Sequence, residues 1–310
     1  MISVELPLVS IITPSYNQGR FIAETIDSVL SQDYLRVEYL VVDGGSTDKT
    51  LDVLRGYGER LHWISEPDNG QTAAINKGWR LTRGEIVAWL NSDDTYLPNA
   101  AKWAVSFLQA HPEVDAVYGG CDYVDEEGRF LRPYPTRPYD YVELVRSAFN
   151  YIPQPATFIR RRALESVGRL DESLHYVMDL DYWLRLGVRH AMAYLPERLA
   201  TLRLHQTAKS IQQVGDFPAE LIYTYQRLFA LPDLPRSVRE IETEAMSNVY
   251  YAAAYCAFWS GRPQEARHYG LLAWRRYRKF RRLLPLIAMG KLGLIVAEKW
   301  RGNPFDPHAA

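Results

Sequence analysis

The residues best placed to do chemistry close the run Val87-Ala88-Trp89-Leu90-Asn91-Ser92-Asp93-Asp94. Ile86 to Leu90 is apolar and reads as a buried strand, and it ends abruptly in an acidic turn. Neighbouring carboxylates repel unless a cation or hydrogen-bond donors sit between them. Mg²⁺ and Mn²⁺ prefer oxygen ligands, and Mg²⁺ is typically held by one or two carboxylates plus substrate phosphates. Taken alone, an Asp-Asp pair is more often a solvated turn than a cation site, so its company decides. A second acidic pair, Asp179 and Asp181, falls near the start of a helix patterned by Leu180, Trp183, Leu184 and Leu186. Helix capping, favoured by the helix dipole, is the plain reading of that pair.

The elements that must position these groups alternate. Leu8 to Thr13 is a short β-rich run closed by Pro14-Ser15-Tyr16-Asn17, a turn signal. Gln18 to Gln32 has helical spacing, with Phe21, Ile22, Ile26, Val29 and Leu30 on one face. Tyr39 to Val42 is a second strand, broken by Asp43-Gly44-Gly45-Ser46-Thr47-Asp48, where Ser46 or Thr47 can cap the next helix. Trp63-Ile64-Ser65 makes a third strand ending in Glu66-Pro67-Asp68-Asn69-Gly70, and a helix follows over 71–81. Strands alternating with helices predict a mostly parallel sheet covered on both faces. Ligands of such sheets sit outside the carboxyl ends of the strands. Four strand ends here carry polar residues: Pro14/Tyr16/Asn17, Asp43, Glu66/Asp68 and Asp93/Asp94.

Val9-Ser10-Ile11-Ile12-Thr13-Pro14-Ser15-Tyr16-Asn17, Val41-Val42-Asp43-Gly44-Gly45-Ser46-Thr47-Asp48 and Asn91-Ser92-Asp93-Asp94 closely resemble family-2 glycosyltransferases, in order and with the expected spacing. The resemblance spans roughly residues 6 to 210. It implies a GT-A fold, a Rossmann-like α/β nucleotide-sugar-binding sheet, with a catalytic domain over 1–215 and a helical region over 216–310. Carried over residue by residue, Thr13, Pro14 and Tyr16 line the nucleobase, and Asp43 accepts a hydrogen bond from it. Asp68, Gln71, Asn76 and Lys77 face the diphosphate or donor sugar, at a helix start that favours anions. Lys77 reads equally well as a solvated helix lysine. Asn91 stands where the usual Asp-x-Asp pattern has its first Asp. It can bond a ribose hydroxyl but adds no charge, which leaves Asp93 as the main ligand of Mn²⁺ or Mg²⁺, with Asp94 close behind. His205, in Leu202-Arg203-Leu204-His205-Gln206, resembles the motif closing the catalytic domain and joins the metal or diphosphate, with Arg203 or Lys209 as further phosphate donors. Where the family has a Glu-Asp pair this chain has Met178-Asp179. The resemblance makes Asp179 the catalytic base, with Asp181 as fallback.

The implied activity is inverting transfer of a sugar from a UDP, dTDP or GDP donor to a hydroxyl of a glycan or lipid-linked saccharide, in cell-surface polysaccharide assembly. The competing reading, motivated by Asn91 and Met178, is a degenerate member that binds nucleotide as a scaffold without turnover. A nucleotidyltransferase would need a Gly-rich, Arg-containing loop after the first strand, which Pro14-Ser15-Tyr16-Asn17 is not.

Between the motifs, Ala116 to Gly119 and Asp125 to Gly128 read as strand and turn, Tyr134 to Tyr141 as a Pro/Tyr-rich loop, and Tyr151 to Ile159 as a returning strand. Gln154 there is either a donor-sugar contact or an ordinary turn residue. From Asp216 the pattern is helical, and Gly261-Arg262-Pro263-Gln264-Glu265-Ala266-Arg267 resembles the turn of a tetratricopeptide-type hairpin, a single copy that cannot build a solenoid.

Composition sets outer bounds. The chain has 310 residues, 47% apolar and 24% charged, as in soluble globular proteins. A net charge of −1 argues against nucleic acid as a partner. The balance is uneven: from Arg262 onward 11 Lys/Arg face 3 Asp/Glu, a local +8 that leaves −9 for the rest. Leu283 to Val296, apolar and flanked by basic residues, suits an anionic membrane surface, packing on the catalytic domain, or a dimer contact. Cys121 and Cys256, the only cysteines, support neither a disulfide framework nor a four-ligand zinc site. With no evident signal peptide, a cytoplasmic location is expected, extending to the inner face of the membrane if the tail binds lipid.

Overall fold

A computed structural model describes residues 6–205 and 217–276. The chain separates into two compact units. The first comprises residues up to Tyr139, Tyr151–Tyr182 and Arg189–Arg203; the second comprises Asp140–Asn150, Trp183–Val188 and the chain from Leu204. The second unit is therefore not a plain C-terminal block beginning near 216, since it takes two earlier segments as well.

The first unit is built on one nine-stranded sheet of order β3-β2-β1-β4-β8-β6-β9-β5, with β7 paired to β6. Its strands are β1 (Val9–Ser15), β2 (Val37–Asp43), β3 (His62–Ser65), β4 (Ile86–Trp89), β5 (Thr95–Tyr96), β6 (Ala116–Val124), β7 (Phe130–Pro133), β8 (Thr157–Arg160) and β9 (Met192–Arg203). β3, β2, β1 and β4 run parallel, so their carboxyl ends share one edge. β8 is antiparallel to β4 and β6, and β9 is parallel to β6.

β1 is buried along its whole length, as expected of a central strand with neighbours on both sides. It runs two residues beyond the expected end at Thr13, because Pro14 pairs with Val42 and Ser15 with Asp43. A proline is tolerated there since β4 pairs with β1 only as far as Ile12–Trp89, leaving no partner on that side to require its missing N–H. Alternate residues face opposite layers. Val9 and Ile11 join one core cluster with Ile22 and Ile26 of α1 (Ile22–Leu30) and Ala104 and Leu108 of α4 (Ala100–Ala110). Ile12 faces α3 (Gln71–Leu81), where a Cβ on Gly78 would lie 2.5 Å from the Ile12 side chain. Trp79 of α3 meets Trp89 edge-on at 5.5 Å and Tyr182 at 5.6 Å.

α1 starts at Ile22 rather than Gln18 because residues 17–19 bond to the loop after β2. α2 (Thr50–Gly56) is capped neither by Ser46 nor by Thr47. Asp48 accepts from the Thr50 amide at 2.9 Å, while Ser46 and Thr47 bond Asn17. α6 (Arg161–Val167) and α7 (Met178–Gly187) follow β8. β9 lacks a sequence signature because its centre, Pro196-Glu197-Arg198, carries polar, exposed residues. Pairing with β6 across two register shifts holds it in place.

The second unit contains α5 (Tyr141–Ser147), α8 (Phe217–Phe229), α9 (Arg236–Arg239), α10 (Glu242–Trp259) and α11 (Pro263–Arg276). Asp140 caps α5 by accepting from the Glu143 amide at 3.0 Å. Its carbonyls are then used by the C-terminal helices: Asn248 donates to Arg146 C=O at 2.6 Å and the Tyr225 hydroxyl to Leu144 C=O at 3.4 Å. α10 and α11 form the expected helical hairpin around Gly261, whose φ of 72° favours glycine. Ser247 Oγ bonds Ala273 C=O across it at 2.9 Å. No described helix is long and apolar enough to cross a membrane. Leu283 to Val296 lies outside the described residues.

Candidate active site

The loops after β1 and β2 hold each other. Asn17, at φ 53°, accepts the Thr47 amide at 2.8 Å and the Asp48 amide at 3.3 Å, and its own amide donates to Ser46 Oγ at 2.7 Å. The Gln18 amide donates to Thr50 Oγ1 and the Gly19 amide to Asp48 Oδ2, both at 2.9 Å. Asp43 is buried at the root of this pair of loops. Its Oδ2 accepts from Ser65 Oγ at 2.7 Å, Ser46 N at 2.9 Å and Gly45 N at 3.1 Å, and its Oδ1 from Ser46 Oγ. Asp43 is thus the knot of the β2 loop, and Oδ1, with one donor, keeps acceptor capacity. Ser65, whose hydroxyl completes the knot from β3, carried no sequence signal.

Thr13 and Pro14 are buried, and Thr13 Oγ1 bonds the Tyr39 hydroxyl at 3.0 Å. Tyr16 is 61% exposed and presents its ring to solvent. Asp68 accepts from the Gly70 amide at 2.8 Å, and a Cβ on Gly44 would lie 3.0 Å from both its carboxylate oxygens. The β2 and β3 loops approach this closely only because residue 44 has no side chain.

α3 begins after Gly70, with no side-chain cap and no acidic residue in its first turn. That leaves a helix N-terminus suited to an anion. Gln71, at its start, donates to Asn91 Oδ1 at 2.7 Å. Thr72 Oγ1 bonds Leu174 C=O at 3.0 Å and Met178 Sδ at 2.9 Å. Asn76 is buried and spans the same gap, donating to Leu170 C=O and Glu172 and accepting the Leu170 amide. Lys77 forms an ion pair with Glu66. Asn76 therefore ties α3 to the 170–172 turn, and the first turn of α3 meets both the loop after β4 and the start of α7.

In the loop after β4 the two carboxylates differ. Asp94 is 3% exposed. Its Oδ1 accepts the Arg203 amide at 3.0 Å, its Oδ2 accepts Asn91 Nδ2 at 3.2 Å, and its carbonyl accepts Thr25 Oγ1 at 2.8 Å. Burial, and then the neighbouring Asp93 charge, push its pKa well above the carboxylate range. Asp93 is half-buried. Asn91 Nδ2 also donates to Gln154 Oε1 at 3.0 Å, and Gln154 Nε2 to Trp89 C=O at 2.6 Å. Gln154 is thus a buried member of this network, in a 3₁₀ turn ahead of β8. Arg203, expected as a phosphate donor, is committed elsewhere. Its guanidinium bonds Asp93 C=O at 3.0 Å, Asp125 C=O at 3.2 Å, Glu126 C=O at 2.9 Å and Glu24 at 2.6 Å.

Asp179 is half-buried in the first turn of α7, where its Oδ1 accepts the Leu180 amide at 2.7 Å. Asp181 is buried. Tyr134 is pushed well up by burial, by Tyr123 and by the Asp179 charge, so Asp179 lies within electrostatic reach of the loop after β7. His205 is buried and belongs to the second unit. Lys209 lies outside the described residues.

Among the described residues no group of three or more His, Cys, Asp or Glu is assembled for a metal. The donor set still fits a hard cation carried on a diphosphate, which needs one or two protein carboxylates and takes its other oxygens from phosphate and water. Asp93 and Asp94 are the carboxylates that the loop after β4 offers for it, and each Asp94 oxygen already accepts one hydrogen bond.

A parallel sheet whose polar loops gather on one edge, joined to an antiparallel and mixed half, is the GT-A architecture. A mannosyltransferase from Pyrobaculum calidifontis, solved in complex with GDP-Man and Mn²⁺, shares this fold with a TM-score of 0.59 and 20% identity, over 93% of this chain and 85% of that one. The glycosyl transferase family 2 model matches residues 10–168, and the chain belongs to that family of enzymes. An uncharacterized glycosyltransferase of Rickettsia typhi is 31% identical over 222 residues, covering 69% of this chain and 70% of the relative. The O-antigen biosynthesis protein RfbC of Myxococcus xanthus is 32% identical over 217 residues, which are 67% of this chain and 17% of that much longer protein.

Proposed function

We propose that the protein transfers a sugar from a nucleoside-diphosphate sugar to a hydroxyl of a saccharide or lipid-linked saccharide, with inversion, during assembly of a cell-surface polysaccharide. The observation that carries the reading is the division of labour after β4. Asp94 is buried and accepts from the Arg203 amide and Asn91 Nδ2, while Asp93 is half-buried in the same loop, whose Asn91 accepts from Gln71 at the uncapped start of α3.

Asp43 and Tyr16 receive the base, with Thr13 and Pro14 as the buried floor beneath it and Asp68 beside Gly44. The α3 N-terminus and Gln71 face the diphosphate. Asn76 and Lys77 act through structure, by fixing the 170–172 turn and pairing with Glu66. Asp93 would hold Mn²⁺ or Mg²⁺ on the diphosphate, where the ion supplies Lewis-acid neutralisation of the departing phosphate. Asp179 takes the acceptor proton as the new C–O bond forms and the bond from the anomeric carbon to the diphosphate oxygen breaks. The half-burial of Asp179 at a helix start, within electrostatic reach of Tyr134, supports this role. The polysaccharide context is supported by the likeness to the O-antigen biosynthesis protein.

The test is thermal unfolding with UDP, GDP and dTDP, each with and without Mn²⁺, on wild type and Asp93→Ala. Ligand at ~100 times its Kd adds about 2.7 kcal/mol, enough for a shift of several degrees. One nucleotide giving a shift that needs both Mn²⁺ and Asp93 is the expected result. A metal-independent shift would move the diphosphate clamp onto basic groups. Nucleotide binding without sugar transfer would favour the scaffold reading raised by Asn91 and Met178.

A further inference from the structure

The geometry points to Arg203 as the positioning residue of the cation site: it sets where the Asp93 carboxylate stands without touching substrate or metal. This inference rests on the reading of Asp93 given above. Arg203 is the last residue of β9, and its side chain is only 2% exposed. A buried guanidinium is costly unless its donors are used, and here they are distributed over three separate pieces of chain. Nε binds the Asp93 carbonyl, Nη1 binds the carbonyls of Asp125 and Glu126 in the β6–β7 turn, and Nη2 binds Glu24 on α1. Its cation also lies 5.2 Å from the centre of the Phe21 ring. A fourth link comes from its backbone, whose amide holds Asp94 Oδ1.

Two of these links act on residues 91–94 directly, at the Asp93 carbonyl and the Asp94 carboxylate. The backbone amide of Arg203 and Asn91 Nδ2 immobilise the Asp94 side chain, and Thr25 holds its carbonyl. The peptide between Asp93 and Asp94 sets part of the direction in which the Asp93 side chain leaves the loop. Arg203 Nε holds the carbonyl of that peptide. The β6–β7 turn is in turn held from outside, by Arg20 on Glu126 at 2.5 Å. The acidic loop thus depends on a cation buried behind it, supplied from more than a hundred residues further along the chain. Removing the guanidinium would take a donor from the carbonyls of Asp93 and Glu126, and from that of Asp125, which keeps the Gly128 amide, together with the loop's rear support.

Lysine keeps the charge but cannot reproduce a planar fork aimed at three sites. Outer-shell partners of a metal site typically contribute 10–100-fold to metal affinity. Arg203→Lys is therefore expected to raise the Mn²⁺ concentration for half-maximal nucleotide binding by about tenfold. Nucleotide affinity in EDTA should be unchanged. The measurement is isothermal titration of the full chain with UDP, or whichever nucleotide gives the shift above, across a Mn²⁺ series, alongside the unfolding temperature. Glu24→Gln, on the half-exposed partner, keeps shape and fold and should give a smaller change of the same kind.

An unchanged Mn²⁺ dependence in both variants would overturn the assignment. So would an equal loss with and without Mn²⁺ in step with a lower unfolding temperature, which marks a merely structural arginine. If Arg203→Lys does not fold, Glu24→Gln decides by the same two criteria. A wild-type protein whose nucleotide binding ignores Mn²⁺ would instead remove the metal reading itself, and the positioning role with it. These outcomes separate the two failures.

Discussion

The two halves of the sheet are organised by different means. In β3, β2, β1 and β4 the strands are parallel and paired in regular register, β1 and β4 are fully buried, and their loops are tied by short motifs: Asn17 to Thr47 and Asp48, Asp43 to its own loop. In β8, β6, β9, β5 and β7 most pairs are antiparallel, β6 meets β7 and β9 across register shifts, and the long Arg203 side chain ties the acidic loop to the β6–β7 turn. The first half makes a rigid rack from local chemistry. The second depends on distant contacts, so its defects should be felt further away.

The largest expected effect lies where the halves meet, at the start of α7 against α3. Asp179→Asn should cut sugar transfer about 10²–10⁴-fold, the usual contribution of a general base, with nucleotide affinity unchanged. A folded variant with full transfer activity would remove Asp179 from the chemistry.

Next come matched glycine substitutions, one per half. A Cβ on Gly119 of β6 would overlap the Leu199 side chain and sit 2.6 Å from Glu197 C=O on β9. That backbone cannot yield without breaking the register, so Gly119→Ala should cost about 2–3 kcal/mol in urea unfolding. A Cβ on Gly78 meets the Ile12 side chain, but alanine also favours the helix by about 1 kcal/mol, so Gly78→Ala should cost about half as much. The reverse ranking would break the contrast between the halves.

Asn17→Ala puts alanine, which tolerates the left-handed region less well than asparagine, at φ 53° and deletes the side-chain bonds to the β2 loop. It should cost about 1–2 kcal/mol and weaken nucleotide binding in parallel, measured by denaturation and titration. Independent losses would show that the two loops are not one body.

The smallest effect is a pH dependence in the second half. Partial burial works to raise the Asp115 pKa, but hydrogen bonds from His190 and Arg162 hold it below the usual carboxylate value. Its contribution is full above the unfolded pKa and is lost as pH falls through the folded one. Asp115→Asn should therefore lower the unfolding temperature at pH 7 and flatten its fall below about pH 4. Parallel melting curves for the two proteins over that range would contradict this.

Much of the rack was legible in the chain itself. Short apolar runs ending in Pro14-Ser15-Tyr16-Asn17, Asp43 and Asp93-Asp94 specify parallel strands and their shared polar edge, because strand burial and turn chemistry are local properties. The helix over 71–81 matches its apolar spacing for the same reason. The roles of individual polar groups were not legible. Nothing in the spacing of Asp93 and Asp94 says that one carboxylate is buried against the Arg203 amide and the other is half-buried. Nor does composition show that Arg203 is buried behind the acidic loop, that Gln154 holds Asn91, or that Ser65 completes the knot around Asp43. Sequence determines which elements form and where charge is concentrated. Only the tertiary structure decides which charges are already satisfied, because a hydrogen bond depends on the distance between atoms and not on their separation along the chain.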